Sequence, residues 1–525
     1  MSDVENIAYP TLGEVVRFAF NATGVLAEKH DHTPGFDEQQ RKNLQKLLDR
    51  LACEEGNLSE NLSEAYRQLA YLVTGYVLDP FLNFATGALL ADLLDIYSQV
   101  IREEGTYLSK KDTLRWMIAE RWAPGLAISV ARCFLQCGLR RHQNDFPGDE
   151  DWYLPDLSGA EPVWPLAKVM QWIYTQAGVS QTQFHYPGRK ADEQDHARQR
   201  DLENAQNWIK GRHFPSASAL DWTFRRAFDT WFSNISSTPP ASYSSPAVSF
   251  ERMRPALFFA RCMTAFAAEL YKQFGKEYLQ RICDIFGSTL AMAMQDAADA
   301  ETWVIQVTEN ADIAYEIDIR KQVSAHWKEN LGMRARQALA GLQKLVESNA
   351  LNDEEVDQLV HAYGRLPVLP AVAMLRAPVQ IQIPPGFANS LMDGLALAER
   401  RHLEDKQIDA YEASLELAGM SKTLGWIVPW LRFQIAYRNN DDTRAWAWIE
   451  QAFEAARYRA GERQYEIVNH YIEMAAKLGK RVPFRKGVHW ARYIGHEVRW
   501  LRDREPTQEN LDMVMNMMKA ARYPV

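Results

Sequence analysis

The sequence predicts an all-α protein built from several helical units. Three observations support this: apolar residues recur at intervals of three and four through most of the chain, stretches rich in proline, serine and glycine interrupt that period, and 525 residues exceed what one hydrophobic core normally holds. Apolar residues make up 47% of the chain and charged residues 24%, which is ordinary globular usage and excludes a disordered or fibrous class.

The first helical unit is predicted over residues 1–158. Its leucines recur at helical spacing and place the apolar residues on one stripe of each helix. They are Leu44, Leu47, Leu48 and Leu51, and then Leu89, Leu90, Leu93 and Leu94. The stretch 146–165 is rich in proline, glycine and aspartate and predicts the boundary with the next unit.

The same unit contains the longest apolar stretch, Phe81–Tyr97, which we interpret as a buried helix. Asp92 and Asp95 interrupt it, and charges at that depth are costly in a bilayer. The N-terminus lacks a basic start followed by an apolar block, so no secretory signal is expected. Five scattered cysteines do not form the pattern of a disulfide framework. We therefore expect a cytoplasmic protein with no membrane partner.

Residues 159–233 carry the most specific local pattern, W-x-x-G-x-x-x-P-x-x-x-x-L. It is formed by Trp208, Gly211, Pro215 and Leu220. Trp208 is expected to anchor a helix to a small core, and Gly211 to end that helix in the left-handed conformation. Pro215 is expected to occupy the first turn of the next helix.

An apolar helical face and a capped turn lie upstream of this pattern. In the turn, Gly178 is expected to close one helix and Ser180 to cap another. The apolar face is formed by Leu166, Val169, Met170 and Ile173. Together, residues 166–228 resemble the helix-turn-helix of the lambda-repressor or Xre type.

This resemblance implies that the helix ending at Trp208 lies in the major groove of DNA. The residues placed for base edges are Asn204, Gln206 and Asn207, and those placed for phosphates are Lys210 and Arg212. The segment departs from the family in spacing, because Ser180 to Trp208 is about ten residues too long. The excess, HYPGRKADEQDHARQR, is expected to loop out.

A linker rich in serine and proline is predicted at 234–249, a central helical unit at 250–365 and a second, proline-rich linker at 366–388. Within the central unit, apolar and polar residues alternate from Ile313 to Ile319. With the preceding run from Trp303, this alternation fits a small β-hairpin. A helix through the same residues fits nearly as well, and both interpretations stay open.

The last unit, 389–525, contains a near-repeat. Gln407–Ala418 aligns with Ala445–Ala456, and the apolar face from Leu424 to Tyr437 aligns with that from Tyr465 to Leu478, about 40 residues on. Over about 389–480 this resembles a degenerate tetratricopeptide-like α-solenoid, which implies a surface that binds a protein. An irregular helical bundle is the alternative.

Basic residues are concentrated near the C-terminus. From Lys477 to Arg504 there are nine lysines and arginines but two acids, in a chain whose net charge is −9. Interleaved aromatics, Phe484, Trp490, Tyr493 and Trp500, are typical of a base-stacking or anion-binding face. The candidate nucleic-acid residues are Lys480, Arg481, Arg485, Lys486, Arg492 and Arg499. Alternatively, these cations complement acidic surfaces of the chain itself.

No familiar catalytic or metal-binding motif is present. Cys133 and Cys137 lie four residues apart but have no second ligand pair, so we expect buried thiols and no metal or cofactor. Phosphate-loop, dinucleotide and hydrolase-elbow patterns are missing. The sequence favours a non-enzymatic helical adaptor or regulator with a protein partner and a local nucleic-acid contact, for which DNA is the expected ligand. A scaffold subunit of a larger assembly and an enzyme of unrecognised class are the alternatives, and the oligomeric state is not predicted.

Overall fold

The chain is all-α, as its apolar periodicity predicts. A computed structural model describes residues 38–53, 55–76, 118–138, 151–186, 193–237, 250–347, 386–501 and 504–521, with scattered positions between 12 and 24, between 85 and 117, and at 147. Among these residues, β structure is limited to one isolated bridge between Asp156 and Val163. None of the described helices combines the length and apolar character needed to cross a membrane.

The first unit contributes two amphipathic helices and one deeply buried helix. Helix α1 spans Glu38–Ala52, α2 spans Leu58–Tyr76, and a π-helical turn at Ile118–Trp122 leads into α3, Ala123–Cys137. The predicted leucine stripe is confirmed where it is described, since Leu44, Leu47, Leu48, Leu51 and Leu93 are all buried. Leu89, Leu90 and Leu94, with Asp92 and Asp95, lie outside the described residues.

Four helices follow the irregular stretch that the sequence marks as a boundary. They are α4, Pro165–Ala177, α5, Gln181–His185, α6, Glu193–Ile209, and α7, Ala217–Ser237. Helix α7 therefore runs four residues into the predicted linker 234–249, and the rest of that linker, 238–249, lies outside the described residues.

The central unit consists of long helices: α8, Phe250–Phe274, α9, Lys276–Thr308, and α10, Ile313–Glu347. The β-hairpin prediction for 303–319 is therefore wrong. The backbone N–H of Tyr315 donates to Asp312 Oδ1 at 2.8 Å, which caps the start of α10. The alternation misled because it does not mark a buried strand face: the side chains of Ile313, Tyr315 and Ile317 are all exposed.

The C-terminal unit begins after the proline-rich linker, of which 366–385 lies outside the described residues. Its helices are α11, Phe387–Ala398, α12, Asp405–Leu417, α13, Ser421–Leu424, α14, Ile427–Arg438, α15, Asp442–Ala456, α16, Gln464–Lys477, α17, Arg481–Tyr493, and α18, Gln508–Ala521. From α14 to α17 each helix packs mainly on the next one along the chain.

The aligned residues of the two halves of the near-repeat are buried in the same way only in part. The two aligned apolar faces are buried at Leu424, Ile427, Trp430 and Phe433, and again at Val468, Tyr471 and Met474. The small residues do not match, because Ala452 and Ala456 are buried whereas Ser414 and Ala418 are exposed. Helix α12 instead buries a different face, formed by Ile408, Tyr411 and Leu415.

One hydrophobic cluster of the described residues extends from Leu12 to Met518, and a second, smaller cluster lies between α3, α9 and α10. Helix α3 packs against both α9 and α10, and α2 packs against α17. Polar contacts also join distant parts of the chain. Gln464 Nε2 donates to the carbonyl of Ile101 at 2.9 Å, and the Arg102 guanidinium donates to that of Tyr493 at 2.7 Å.

Candidate functional site

The turn between α4 and α5 has the predicted cap and helix end. Gly178 follows α4 with a φ of 67°, in the left-handed region. Ser180 Oγ accepts a hydrogen bond from the Gln183 backbone N–H, and Gln183 Oε1 accepts one from the Ser180 N–H. The expected apolar face of α4 is also buried, at Leu166, Val169, Met170 and Ile173.

The W-x-x-G-x-x-x-P-x-x-x-x-L pattern ends α6 as predicted, with one correction. Trp208 is buried, and Gly211 adopts a φ of 63° just beyond the helix. Pro215, however, lies outside α7 rather than in its first turn. Ser216 Oγ accepts from the Ala219 N–H at 3.0 Å, which makes Ser216 the N-cap and leaves Pro215 before it.

The residues between Ser180 and Trp208 do not loop out as expected. Residues 193–200 form the first two turns of α6, which is 17 residues long. The sequence EQDHARQR contains neither glycine nor proline and is rich in good helix formers, so extending the helix costs little. Residues 187–192 lie outside the described residues.

The predicted DNA-contacting residues cluster at the C-terminal end of α6 and in the turn that follows. Gln206, Lys210 and Arg212 are exposed, and Asn204 and Asn207 are half-buried. Arg212 Nη1 lies 3.5 Å from Asn207 Oδ1, which keeps the guanidinium near the helix end. The five side chains are accessible together.

The basic residues between Lys477 and Arg504, which we call the C-terminal stripe, are partly paired within the chain. Three of the six candidate cations, and the neighbouring Lys477, pair with carboxylates elsewhere in the C-terminal unit. The pairs are Lys477 with Asp442 (2.6 Å), Arg485 with Asp512 (2.8 Å), Lys486 with Glu454, and Arg492 with Glu505 (3.7 Å). These cations complement acidic side chains of the chain itself, which is the alternative that the sequence left open.

The aromatic residues of the stripe are not available for stacking on bases. Phe484, Trp490 and Tyr493 are each 1% exposed, and Trp500 is half-buried. Trp490 Nε1 donates to Gln464 Oε1 at 3.0 Å inside the core. The interpretation of Phe484, Trp490 and Tyr493 as part of a stacking face is therefore wrong, because these three rings form the buried face of α17.

Three candidate cations of the stripe are exposed and lie outside these ion pairs: Lys480, Arg481 and Arg499. No described carboxylate forms an ion pair with any of them. Lys480 Nζ lies 4.7 Å from the centroid of the Trp446 ring, in a cation–π arrangement that leaves the ammonium group open to solvent.

Sequence reasoning missed a cluster of polar side chains on α14, on α16 and just after α17, which we call the α14–α16 row. It consists of Tyr437, Asn469, His470, Glu473 and His496. Tyr437 Oη donates to Glu473 Oε1 at 2.6 Å, and His470 Nδ1 lies 3.1 Å from Glu473 Oε2. His496 Nε2 lies 2.8 Å from Asn469 Oδ1. All five side chains are half-buried, so they form a hydrogen-bonded ridge that solvent still reaches.

The electrostatics of the row keep Glu473 ionised. Burial raises the pKa of Glu473, but hydrogen bonds from His470 and Tyr437 outweigh it and lower the pKa overall. Burial and the bond to Glu473 raise the pKa of Tyr437, so its hydroxyl stays a donor. The only linear signal for the row is the four-residue spacing of Asn469 and Glu473, which many solvated helices share.

The described residues contain no group of three or more histidine, cysteine, aspartate and glutamate side chains that could hold a metal ion. Comparison with protein-family models finds no matching family, and comparisons with curated proteins and with solved structures find no matching relative.

Proposed function

We propose that the chain is a helical adaptor whose C-terminal helices bind a protein partner along the α14–α16 row. The observation that carries this proposal is the row itself: hydrogen-bonded donors, acceptors and aromatic rings on α14, on α16 and just after α17, all half-buried. Such side chains combine apolar contact area with oriented hydrogen bonds, as protein-binding surfaces do.

The packing order of these helices supports the proposal. From α14 to α17 each helix packs mainly on its chain neighbour, as expected of a tetratricopeptide-like repeat region. Links between alternate helices point the same way, since the His470 ring of α16 lies 5.2 Å from the Phe433 ring of α14. The five cysteines are free thiols, which supports a cytoplasmic location as part of the proposal.

The test is affinity purification of the full-length chain from the cells that produce it. Tyr437→Phe with Asn469→Ala removes two polar contacts from the row and keeps most of its shape. Without these two bonds Glu473 and His496 are no longer held in place, and this is expected to weaken partner retention about ten-fold. Glu450→Gln with Gln451→Ala, on the exposed face of α15, is the matched control. Equal recovery of the same partners by both variants would contradict the proposal.

A second candidate is a local DNA contact at the end of α6. Gln206, Lys210 and Arg212 are exposed together there, next to a buried Trp208 that fixes the helix. The C-terminal stripe is not part of this candidate, because three of its six candidate cations would have to leave their ion pairs to meet phosphates, and three of its four aromatic rings are buried.

Its test is fluorescence anisotropy with a 30-base-pair mixed-sequence duplex as the probe, between 50 and 200 mM salt. Lys210→Glu with Arg212→Glu is expected to weaken binding and to reduce the salt slope by about two. The control is Lys272→Glu with Lys406→Glu, the same charge change at side chains that are 79% exposed. Binding that survives the Lys210 and Arg212 change unaltered would exclude this contact.

A further inference from the structure

The turn between α9 and α10 exposes an unusual amount of apolar surface. Five large side chains lie within about two helical turns of the chain reversal at 309–312, although apolar residues normally reach the surface singly. They are Trp303 (49% exposed), Val307 (40%), Ile313 (66%), Tyr315 (48%) and Ile317 (56%). We call this surface, with its surrounding carboxylates, the acidic tip.

The charge around these side chains has one sign. Residues 299–318 contain six acids and no lysine, arginine or histidine. Glu301 and Glu316 are occupied by Arg320. The four others are exposed: Asp299, Glu309, Asp312 and Asp318. The tip therefore suits a partner surface that is apolar and basic, and it repels nucleic acids and anionic membranes.

The chain itself carries such a surface at the turn between α16 and α17. Leu478 is 38% exposed and Val482 is 76% exposed. Between them lie Lys480 and Arg481, which are exposed and form no ion pair with a described carboxylate. We call these four residues the basic knuckle.

We propose that the acidic tip of one copy of this chain docks on the basic knuckle of a second copy. The contact joins two different surfaces, so each bound copy offers a free tip and a free knuckle, and the assembly grows as an open chain or closes as a ring. Neither surface includes the α14–α16 row, so the contact is independent of the proposed adaptor function. Two surfaces of this size bury less than a standard interface, which sets the expected affinity in the micromolar range.

Sedimentation velocity of the full chain between 1 and 100 μM tests the contact. The wild-type mass is expected to rise with concentration. A tip variant, Glu309→Lys with Asp318→Lys, and a knuckle variant, Lys480→Glu with Arg481→Glu, are each expected to stay monomeric, because like charges then meet at the docking site.

An equimolar mixture of the two variants is the decisive sample. In this mixture, the lysines on the tip variant meet the glutamates on the knuckle variant. The unaltered tip of the knuckle variant meets the unaltered knuckle of the tip variant. The average mass is therefore expected to rise again with concentration. Lys272→Glu with Lys406→Glu, at lysines elsewhere that are 79% exposed, is expected to associate like the wild type. A wild-type chain that stays monomeric at 100 μM overturns the proposal. So does association that neither variant alters, or that mixing does not restore.

Discussion

Arg320 of α10 and Glu301 of α9 form a buried, bidentate ion pair in the central unit. Nη1 lies 2.7 Å from Oε2 and Nη2 lies 3.0 Å from Oε1, and both side chains are 7% exposed. Arg320 Nη1 also donates to the carbonyl of Leu135 at 3.0 Å, and Nε donates to Glu316 at 2.8 Å. The Arg320 guanidinium thus joins α10 to both α9 and α3, next to the acidic tip.

Glu301→Gln is expected to lower the free energy of unfolding by about 3–5 kcal/mol, because it leaves a buried guanidinium without its main counter-charge. Chemical denaturation followed by circular dichroism at 222 nm measures the change. Glu309→Gln, at an exposed position in the turn between α9 and α10, is expected to leave the free energy of unfolding within about 0.5 kcal/mol of the wild-type value. Equal stabilities for the two variants would show that the pair does not hold the helices together.

Gly211→Ala is expected to destabilise the chain more than Gly178→Ala. Both glycines have positive φ, 63° and 67°, so both substitutions carry a backbone cost of about 1 kcal/mol. At Gly211 a Cβ would also lie 2.3 Å from Trp164 Nε1, whereas no atom lies within 4 Å at Gly178. Thermal melting of the two variants separates the steric cost from the shared backbone cost, and similar melting temperatures would rule out the close approach of Trp164.

The cysteines are expected to react with a thiol reagent at very different rates. Cys53 is exposed, whereas burial raises the pKa of Cys262 to about 11 and that of Cys283 to about 12. Thiolates are the reactive form, so Cys53 is expected to be labelled first at pH 8, the half-buried Cys283 more slowly, and the buried Cys262 only after unfolding. Mass spectrometry of peptides from a timed labelling reaction gives the order, and fast labelling of Cys262 would contradict the burial.

Local signals in the sequence predicted helix ends and buried faces well. Gly178, Ser180 and Gly211 act through their own backbone and near neighbours, so their roles could be read from a few adjacent residues. The same holds for the α4 face and for Trp208. The alternation from Ile313 to Ile319 failed because period alone does not tell whether a stripe faces the core or the solvent.

The pairing of charges and the α14–α16 row could not be predicted, since both depend on which helices meet. Asp512 lies 27 residues from Arg485, and Glu454 lies 32 residues from Lys486, so nothing local indicates that they neutralise the stripe. The row likewise joins Tyr437 to a residue 36 positions later. Such contacts follow from tertiary packing, which leaves no linear trace.

The stability of the chain is expected to fall between pH 6.5 and about 3, in part because of His185. Burial lowers the pKa of His185 to about 3, and its Nε2 lies 2.8 Å from Tyr174 Oη. The unfolded chain, with a histidine pKa near 6.5, takes up a proton in this window that the folded chain does not. The contribution of His185 is therefore complete above about pH 6.5 and declines by about 1.4 kcal/mol per pH unit below it.

Chemical denaturation at pH 7, 6 and 5 tests this dependence. His185→Gln can keep a hydrogen bond to Tyr174 but does not titrate, so its unfolding free energy is expected to fall less steeply with decreasing pH than that of the wild type. Burial also lowers the pKa of His489, to about 4, so a shallower decline of the same sign remains in the variant. Parallel curves for wild type and variant would contradict this prediction, because they would mean that His185 takes up its proton in the folded chain despite its enclosure by Phe184 and Phe224.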